Sequence, residues 1–179
     1  MRKIFVILLL ICGSCFVGAQ ELSLPSEPSD DCGFSLGVKG TLRMIPADSG
    51  KYQCSYLKIE PYGEVLKDTK DVFSEKPASG TIDFFFGIAQ MGYDEKKKEE
   101  RYAVVLILYS GCEDVISYKA EIMPKGKDRF VPTSVMDIFP GVPIREIWPY
   151  YIDMIHLQQF EKAGFEPVKK KAKNRKQRS

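Results

Sequence analysis

Residues 102–109 read YAVVLILY, the most apolar stretch of the chain after residue 19. The charged block 93–101 precedes this stretch, and Ser110 and Gly111 follow it. Eight residues rich in valine, isoleucine and tyrosine, bounded in this way, favour a central strand over a helix, because helices are usually longer and poorer in β-branched residues. The stretch therefore predicts that a sheet forms the core of the protein.

Four further stretches have the pattern of strands: residues 34–44, 52–60, 81–89 and 115–123. The first and the last alternate between apolar and polar side chains, as half-buried strands do. The second follows a Pro- and Gly-containing turn and predicts the returning strand of a hairpin. The third contains Phe84, Phe85 and Phe86 in a row, which indicates burial on both faces or a surface that faces a ligand.

Five strands joined by turns, with no helices alternating between them, predict a mainly β fold. We expect an antiparallel β-sandwich, immunoglobulin-like or transthyretin-like, or a small barrel. Prolines punctuate the C-terminal part, so residues 124–143 are expected to cross the end or the edge of the sandwich, with Ile138, Phe139 and Val142 packing onto it. Residues 150–163 predict a helix, because Pro149 suits its first position and Gly164 its end; an edge strand is the alternative.

The composition of 179 residues, 44% hydrophobic and 28% charged, is that of a globular chain with one core. It excludes a disordered chain, a coiled coil, a collagen-like repeat and a multi-pass membrane protein. We divide the chain into a signal peptide (1–19), a flexible leader (20–32), a single β-rich domain (33–166) and a disordered basic tail (167–179).

The first 19 residues have the pattern of a secretory signal peptide. Arg2 and Lys3 precede an apolar run too short to span a bilayer comfortably, and Val17-Gly18-Ala19 supplies small residues for cleavage. The pattern predicts export, to the periplasm or outside the cell, with cleavage before Gln20. A retained anchor and a lipid-anchored form through Cys15 are the alternatives.

Three cysteines remain after cleavage: Cys32, Cys54 and Cys112. An oxidising compartment favours one disulfide bond and one remaining thiol, and the sequence leaves all three pairings open. We favour Cys32 with Cys112, because each lies beside a glycine in a turn-like segment. Cys54 is then expected to be a small buried residue of a strand.

His156 is the only histidine, so one chain cannot assemble a Cys/His zinc site or a multi-histidine metal site. The sequence also lacks the strand-turn-helix motif of serine hydrolases and the glycine-rich loops that bind nucleotides. Cys112 with His156 as its base is the remaining nucleophile pair, and we interpret these residues as a disulfide partner and a packing residue instead. We expect no catalytic residue, no metal and no cofactor.

Four aromatic residues are candidates for a binding surface: Trp148, Tyr150, Tyr151 and Phe85. Exposed aromatic rings bind sugar rings or partner proteins, whereas buried rings only fill a core. We expect the core role for Trp148 and for at least two of the three consecutive phenylalanines.

The last 12 residues carry seven bases and no acid: Lys169, Lys170, Lys171, Lys173, Arg175, Lys176 and Arg178. The part of the chain between residue 19 and this tail carries 17 bases against 24 acids, so it is negatively charged. The tail is suited to an anionic membrane surface or an acidic polysaccharide, and a purely solvated terminus is the equal alternative. Export makes nucleic acid an unexpected partner.

These observations favour an exported, non-enzymatic binding or adaptor module, whose partner is a protein or polysaccharide at the cell envelope or outside the cell. A secreted carboxylate-dependent hydrolase of glycosidase type is one alternative, with Asp30/Asp31, Glu113/Asp114 or Asp68/Asp71 as acid pairs. An envelope structural or assembly subunit that associates through a sheet edge is the other.

Overall fold

The structure, a computed structural model, describes residues 27–68, 70 and 72–164. Nine strands form two antiparallel sheets that pack face to face. The strands are β1 (Asp31–Ser35), β2 (Val38–Pro46), β3 (Tyr52–Pro61), β4 (Thr81–Asp94), β5 (Glu99–Ser110), β6 (Ile116–Pro124), β7 (Val131–Thr133), β8 (Ile144–Trp148) and β9 (Ile152–Lys162). One sheet has the order β1-β9-β6-β7 and the other β3-β2-β4-β5-β8. The predicted sandwich is confirmed, and the sheets do not close into a barrel.

The stretch 102–109 lies in β5, between β4 and β8 of the five-stranded sheet. Val104, Leu106 and Leu108 face the main core between the sheets. Val105 and Ile107 face the opposite side, where the segment after β3 covers them with Leu66 and Phe73. The strand is therefore buried on both faces, which explains its unbroken apolar sequence and confirms the predicted central strand.

The three consecutive phenylalanines of β4 divide between the same two clusters. Phe84 and Phe86 point into the main core, and Phe85 lies in the smaller cluster on the other face. All three are fully buried. The prediction of burial on both faces is confirmed.

The predicted strand 34–44 is two strands in different sheets. Phe34 pairs with Ile155 in the four-stranded sheet, whereas Val38 pairs with Phe86 in the five-stranded sheet. Gly37 makes the crossing with a φ of 88°, a backbone conformation that favours glycine. The alternation continues across the crossing because both strands turn their apolar side chains towards one shared core.

The helix predicted for residues 150–163 is wrong: this segment contains β9. The strand lies between β1 and β6, so it is not an edge strand either. Register shifts interrupt its pairing with β6, and Gln159 has a left-handed φ of 57°. These irregularities disturb the two-residue period of its buried side chains, and for this reason the sequence pattern matched neither a regular strand nor a helix.

The proline-punctuated segment 124–143 follows its prediction in part. Ile138 is fully buried and pairs with Ile116. Phe139 and Val142, which were expected to pack onto the sandwich, are exposed. The backbone around them is held instead by Gly141, whose amide donates to the carbonyl of Ser110 at 2.8 Å.

The ordered fold begins before the predicted domain boundary at residue 33. Ser29 pairs with Cys54 through two backbone hydrogen bonds, and β1 begins at Asp31. The last residues of the predicted leader are therefore part of the sandwich. The predicted signal peptide with Cys15, the first part of the predicted leader and the basic stretch 167–179 lie outside the described residues.

Candidate functional site

The structure separates the four aromatic candidates into two buried and two exposed residues. Trp148 is buried, and its Nε1 donates to Oγ1 of Thr133 at 3.1 Å, which joins the two sheets. Phe85 is fully buried against Tyr62 in an edge-to-face arrangement. Tyr150 and Tyr151 are 49% and 53% exposed. Only these last two present their rings to a ligand.

Tyr150 and Tyr151 line a small cleft of about 30 Å³ at the surface. The other lining residues are Ile88, Tyr102, Ala103, Val104 and Pro149. Ile88 and Val104 are opposite each other in the β4–β5 pair, and Val104 is also opposite Trp148 of β8. The cleft therefore lies on a continuous piece of the five-stranded sheet, and rigid strands position its apolar floor.

Tyr102 is the residue of the cleft that the aromatic candidates did not include. It is opposite Gln90, where the β4–β5 hairpin becomes more exposed, and it keeps nearly half of its surface open to solvent. Its phenol donates to the carboxylate of Glu100, and this hydrogen bond raises the pKa of Tyr102. The signal in the sequence was its position at the polar end of an otherwise apolar strand.

One cation lies close to the aromatic residues of the cleft. Nζ of Lys125 lies 5.0 Å from the ring centroid of Tyr151, within the range of a cation–π contact. The seven lining residues themselves carry no charged side chain. The cleft thus combines an apolar floor with three phenolic hydroxyl groups.

His156 lies in β9, and its two ring nitrogens face carboxylates. Nε2 is 3.1 Å from Oδ2 of Asp31, and Nδ1 is 4.0 Å from Oε2 of Glu121. The imidazole also packs against the ring of Phe130. This arrangement gives no support to a nucleophile pair of Cys112 with His156.

Cys112 is buried at the end of β5, and its Sγ lies 3.8 Å from the carbonyl oxygen of Thr81. Its backbone amide donates to Oγ of Ser110 at 3.0 Å. Burial raises the pKa of this thiol, which lowers its reactivity. No cysteine pair is bonded among the described residues, so the preferred pairing of Cys32 with Cys112 has no support.

The acid pairs that a hydrolase needs do not face the aromatic cleft. Asp114 accepts a hydrogen bond from the phenol of Tyr52 at 2.7 Å and pairs with Lys162 at 2.6 Å. Asp30 is bound by the amide of Gln53, and Asp31 by His156. Each of these carboxylates is engaged by a neighbouring side chain. Asp71 of the third pair lies outside the described residues.

No group of three or more metal-ligating side chains occurs in the part of the chain that the structure describes. The same residues include no helix long and apolar enough to cross a membrane. The bases of the tail, Lys169 to Arg178, are outside the described residues, so their contacts are not seen.

Comparison with known proteins gives no relative from which a function can be transferred. No protein-family model matches the chain, and no curated protein or solved structure is significantly similar to it.

Proposed function

We propose that the protein is an exported, non-enzymatic binding module that stacks one ring of a neutral polysaccharide on the exposed tyrosines at the aromatic cleft. The observation that carries this proposal is the exposure of Tyr102, Tyr150 and Tyr151 around an apolar floor. A contiguous group of exposed aromatic rings is typical of an interaction site, and aromatic faces with a polar end suit ligands that are part apolar and part polar.

The small size of the cleft favours a ligand that extends beyond it. Sites for whole small molecules usually have roughly 300–1,000 Å³. The cleft has only about 30 Å³, so a ligand would lie across its mouth on the tyrosine rings, with the remainder of the ligand outside. A chain of sugar rings satisfies this requirement.

The chemistry of the lining favours a neutral sugar over a charged one. No lining residue carries a formal charge. The hydroxyl groups of Tyr150 and Tyr151 can donate and accept hydrogen bonds, and that of Tyr102, which donates to Glu100, can still accept one. A sugar ring offers an apolar face to the aromatic rings and hydroxyl groups at its rim. The negative charge of the body of the chain also disfavours an acidic ligand at this site.

A polypeptide partner is the second candidate, and the position of β8 favours it. This strand is at the edge of the five-stranded sheet and leads directly into Pro149, so a partner strand along it would reach the cleft. Ile147 of β8 is 48% exposed on that edge. An assembly role would use this strand as well as the cleft.

The proposed function is tested with the double variant Tyr150→Ala/Tyr151→Ala and a panel of neutral polysaccharides in affinity electrophoresis. We expect retardation of the wild-type protein by at least one polysaccharide, and a loss of affinity of about tenfold or more in the variant, because each ring contributes stacking. Tyr93→Ala is the matched control. Tyr93 is an exposed tyrosine of the β4–β5 hairpin, which also carries Tyr102, but it does not line the cleft.

The variant Ile147→Lys separates the two candidates. It adds a charge to the β8 edge and leaves the cleft residues in place, so polysaccharide binding should be unchanged. If neutral polysaccharides do not bind and a purified envelope protein binds in a manner that Ile147→Lys abolishes, the polysaccharide proposal is wrong and the assembly role replaces it.

A further inference from the structure

We propose that Cys32 and Cys54 form a disulfide bond that joins the two sheets, and that Cys112 remains a thiol. Cys32 lies in β1 of the four-stranded sheet and Cys54 in β3 of the five-stranded sheet. Both side chains belong to the main core, where they are 3% and 1% exposed. The pairing differs from the one that the sequence favoured.

The backbone holds the two segments together on both sides of Cys32. The amide of Ser29 donates to the carbonyl of Cys54 at 2.9 Å, and the amide of Cys54 donates to the carbonyl of Ser29 at 2.8 Å. The phenol of Tyr56 accepts a hydrogen bond from the amide of Gly33 at 2.8 Å and donates one to the carbonyl of Gly33 at 3.0 Å. A disulfide needs two strands that are already held close, and these contacts supply that condition.

Cys32 and Cys54 are free thiols in the structure and belong to the same core cluster. The neighbouring thiol of Cys32 lowers the pKa of Cys54, while burial raises the pKa of Cys32. A thiolate beside a second thiol has the arrangement that disulfide exchange requires.

The oxidant is a disulfide, either small or carried by a protein, and the step is exchange. The Cys54 thiolate attacks one sulfur of the oxidant, forming a mixed disulfide and releasing one thiolate. The Cys32 thiol then loses its proton and attacks the Cys54 sulfur, which releases the second thiolate. The two cysteines lose two electrons and two protons, and the oxidant gains them as two thiols.

The fold gives the oxidant a route to Cys54. β1 is a terminal strand of its sheet, so local opening of this strand uncovers the thiols without complete unfolding of the sandwich. Cys112 has no comparable partner, because its Sγ faces the carbonyl oxygen of Thr81. Occurrence of the bond in the cell depends on the proposed export to an oxidising compartment, whereas the pairing itself does not.

The pairing is tested by peptide mapping of the full chain without reduction. Trypsin together with a protease that cleaves after glutamate separates the cysteines, with Cys32 in residues 22–39, Cys54 in 52–58 and Cys112 in 102–113. Two samples are alkylated first: protein from the expressing cells, and reduced native protein that has been treated with oxidised glutathione. We expect residues 22–39 linked to 52–58 and an alkylated Cys112 in both.

A link from Cys112 to either other cysteine, or three alkylated thiols after glutathione treatment, would overturn the proposal. A bond that forms with glutathione but is missing from the protein of the expressing cells supports the pairing and contradicts export.

Oxidation should also raise the melting temperature by roughly 5–10 °C in the wild type and in Cys112→Ala. Cys54→Ala should show no such rise, and the mapping of the wild type remains decisive if this variant does not fold.

Discussion

Asp114 shows how a single carboxylate ties together distant parts of the chain. The ion pair with Lys162 and the hydrogen bond from Tyr52 lower the pKa of Asp114 below its ordinary value of 3.8. Tyr52 begins β3, and Lys162 ends β9, so the carboxylate links the two sheets at one end of the sandwich. Its charge is therefore part of what holds that end closed.

This arrangement predicts a stability contribution that depends on pH. A pKa that is lower in the folded state adds stability above the unfolded value, and the addition is lost as the pH falls through the folded value. Asp114→Asn should lower the melting temperature at pH 7 by about 1–3 °C, and the difference from the wild type should vanish near pH 2. Circular dichroism melts over this pH range measure it, with Glu113→Gln as the control. An equal difference at both pH values would show that the charge is not responsible.

At the scale of the element, β9 is the strand whose irregularity matters most. Gln159 has a left-handed backbone conformation, and its amide donates to the carbonyl of Asp30 at 3.3 Å. The irregularity lets Leu157 and Phe160 both reach the core although they are three residues apart. The strand therefore bends to cover the core that a straight strand would leave open.

This conformation predicts opposite effects of two substitutions at residue 159. Gln159→Gly should be neutral or slightly stabilising, because glycine adopts a positive φ readily. Gln159→Val should destabilise the protein by about 1–2 kcal/mol, because a β-branched side chain resists this conformation. Urea unfolding measures both, and Gln158→Val, in the neighbouring position of the strand, should change stability by less than about 0.5 kcal/mol. Equal effects of valine at the two positions would contradict the explanation.

The same irregularity explains what the sequence could and could not predict. β5 was recognisable because one continuous apolar run is buried on both faces. β9 was not, since its bulges remove the period of two, and β8 was hidden because its five residues lie between Pro143 and Pro149. The crossing from one sheet to the other within residues 34–44 could not be predicted, because β1 and β2 face the same core. The alternation of apolar and polar side chains therefore continues across it.

The candidate site was predictable only where exposure followed from local sequence. Tyr150 and Tyr151 were candidates because they cluster with Trp148 beside Pro149, and the sequence left their exposure open. Tyr102 joins them through the pairing of β5 with β8, a long-range property that no local pattern contains. Cys32 and Cys54 likewise meet through the packing of two sheets, so their spacing along the chain gave no reason to prefer them.

At the scale of the whole molecule, the basic tail is attached to a body of opposite charge. Deletion of residues 169–179 should leave the melting temperature almost unchanged, since these residues follow the last strand. Binding to vesicles that contain phosphatidylglycerol should fall by about 100-fold or more at low salt, because each base near an anionic surface contributes about 1 kcal/mol. Vesicle sedimentation at low and at physiological salt measures the effect. Replacement of the seven bases by glutamine is the matched control, and equal binding by the truncated protein would remove the tail from membrane attachment.

Trp148 is the only tryptophan of the chain, and the fold places it immediately before Pro149 at the cleft. Its indole is sheltered and tethered to Thr133 across the gap between the sheets. The emission of this one fluorophore consequently comes from the place where a ligand would arrive. The molecule thus carries an intrinsic optical reporter, whose colour and intensity should change, without any added label, if a ligand occupies the neighbouring cleft.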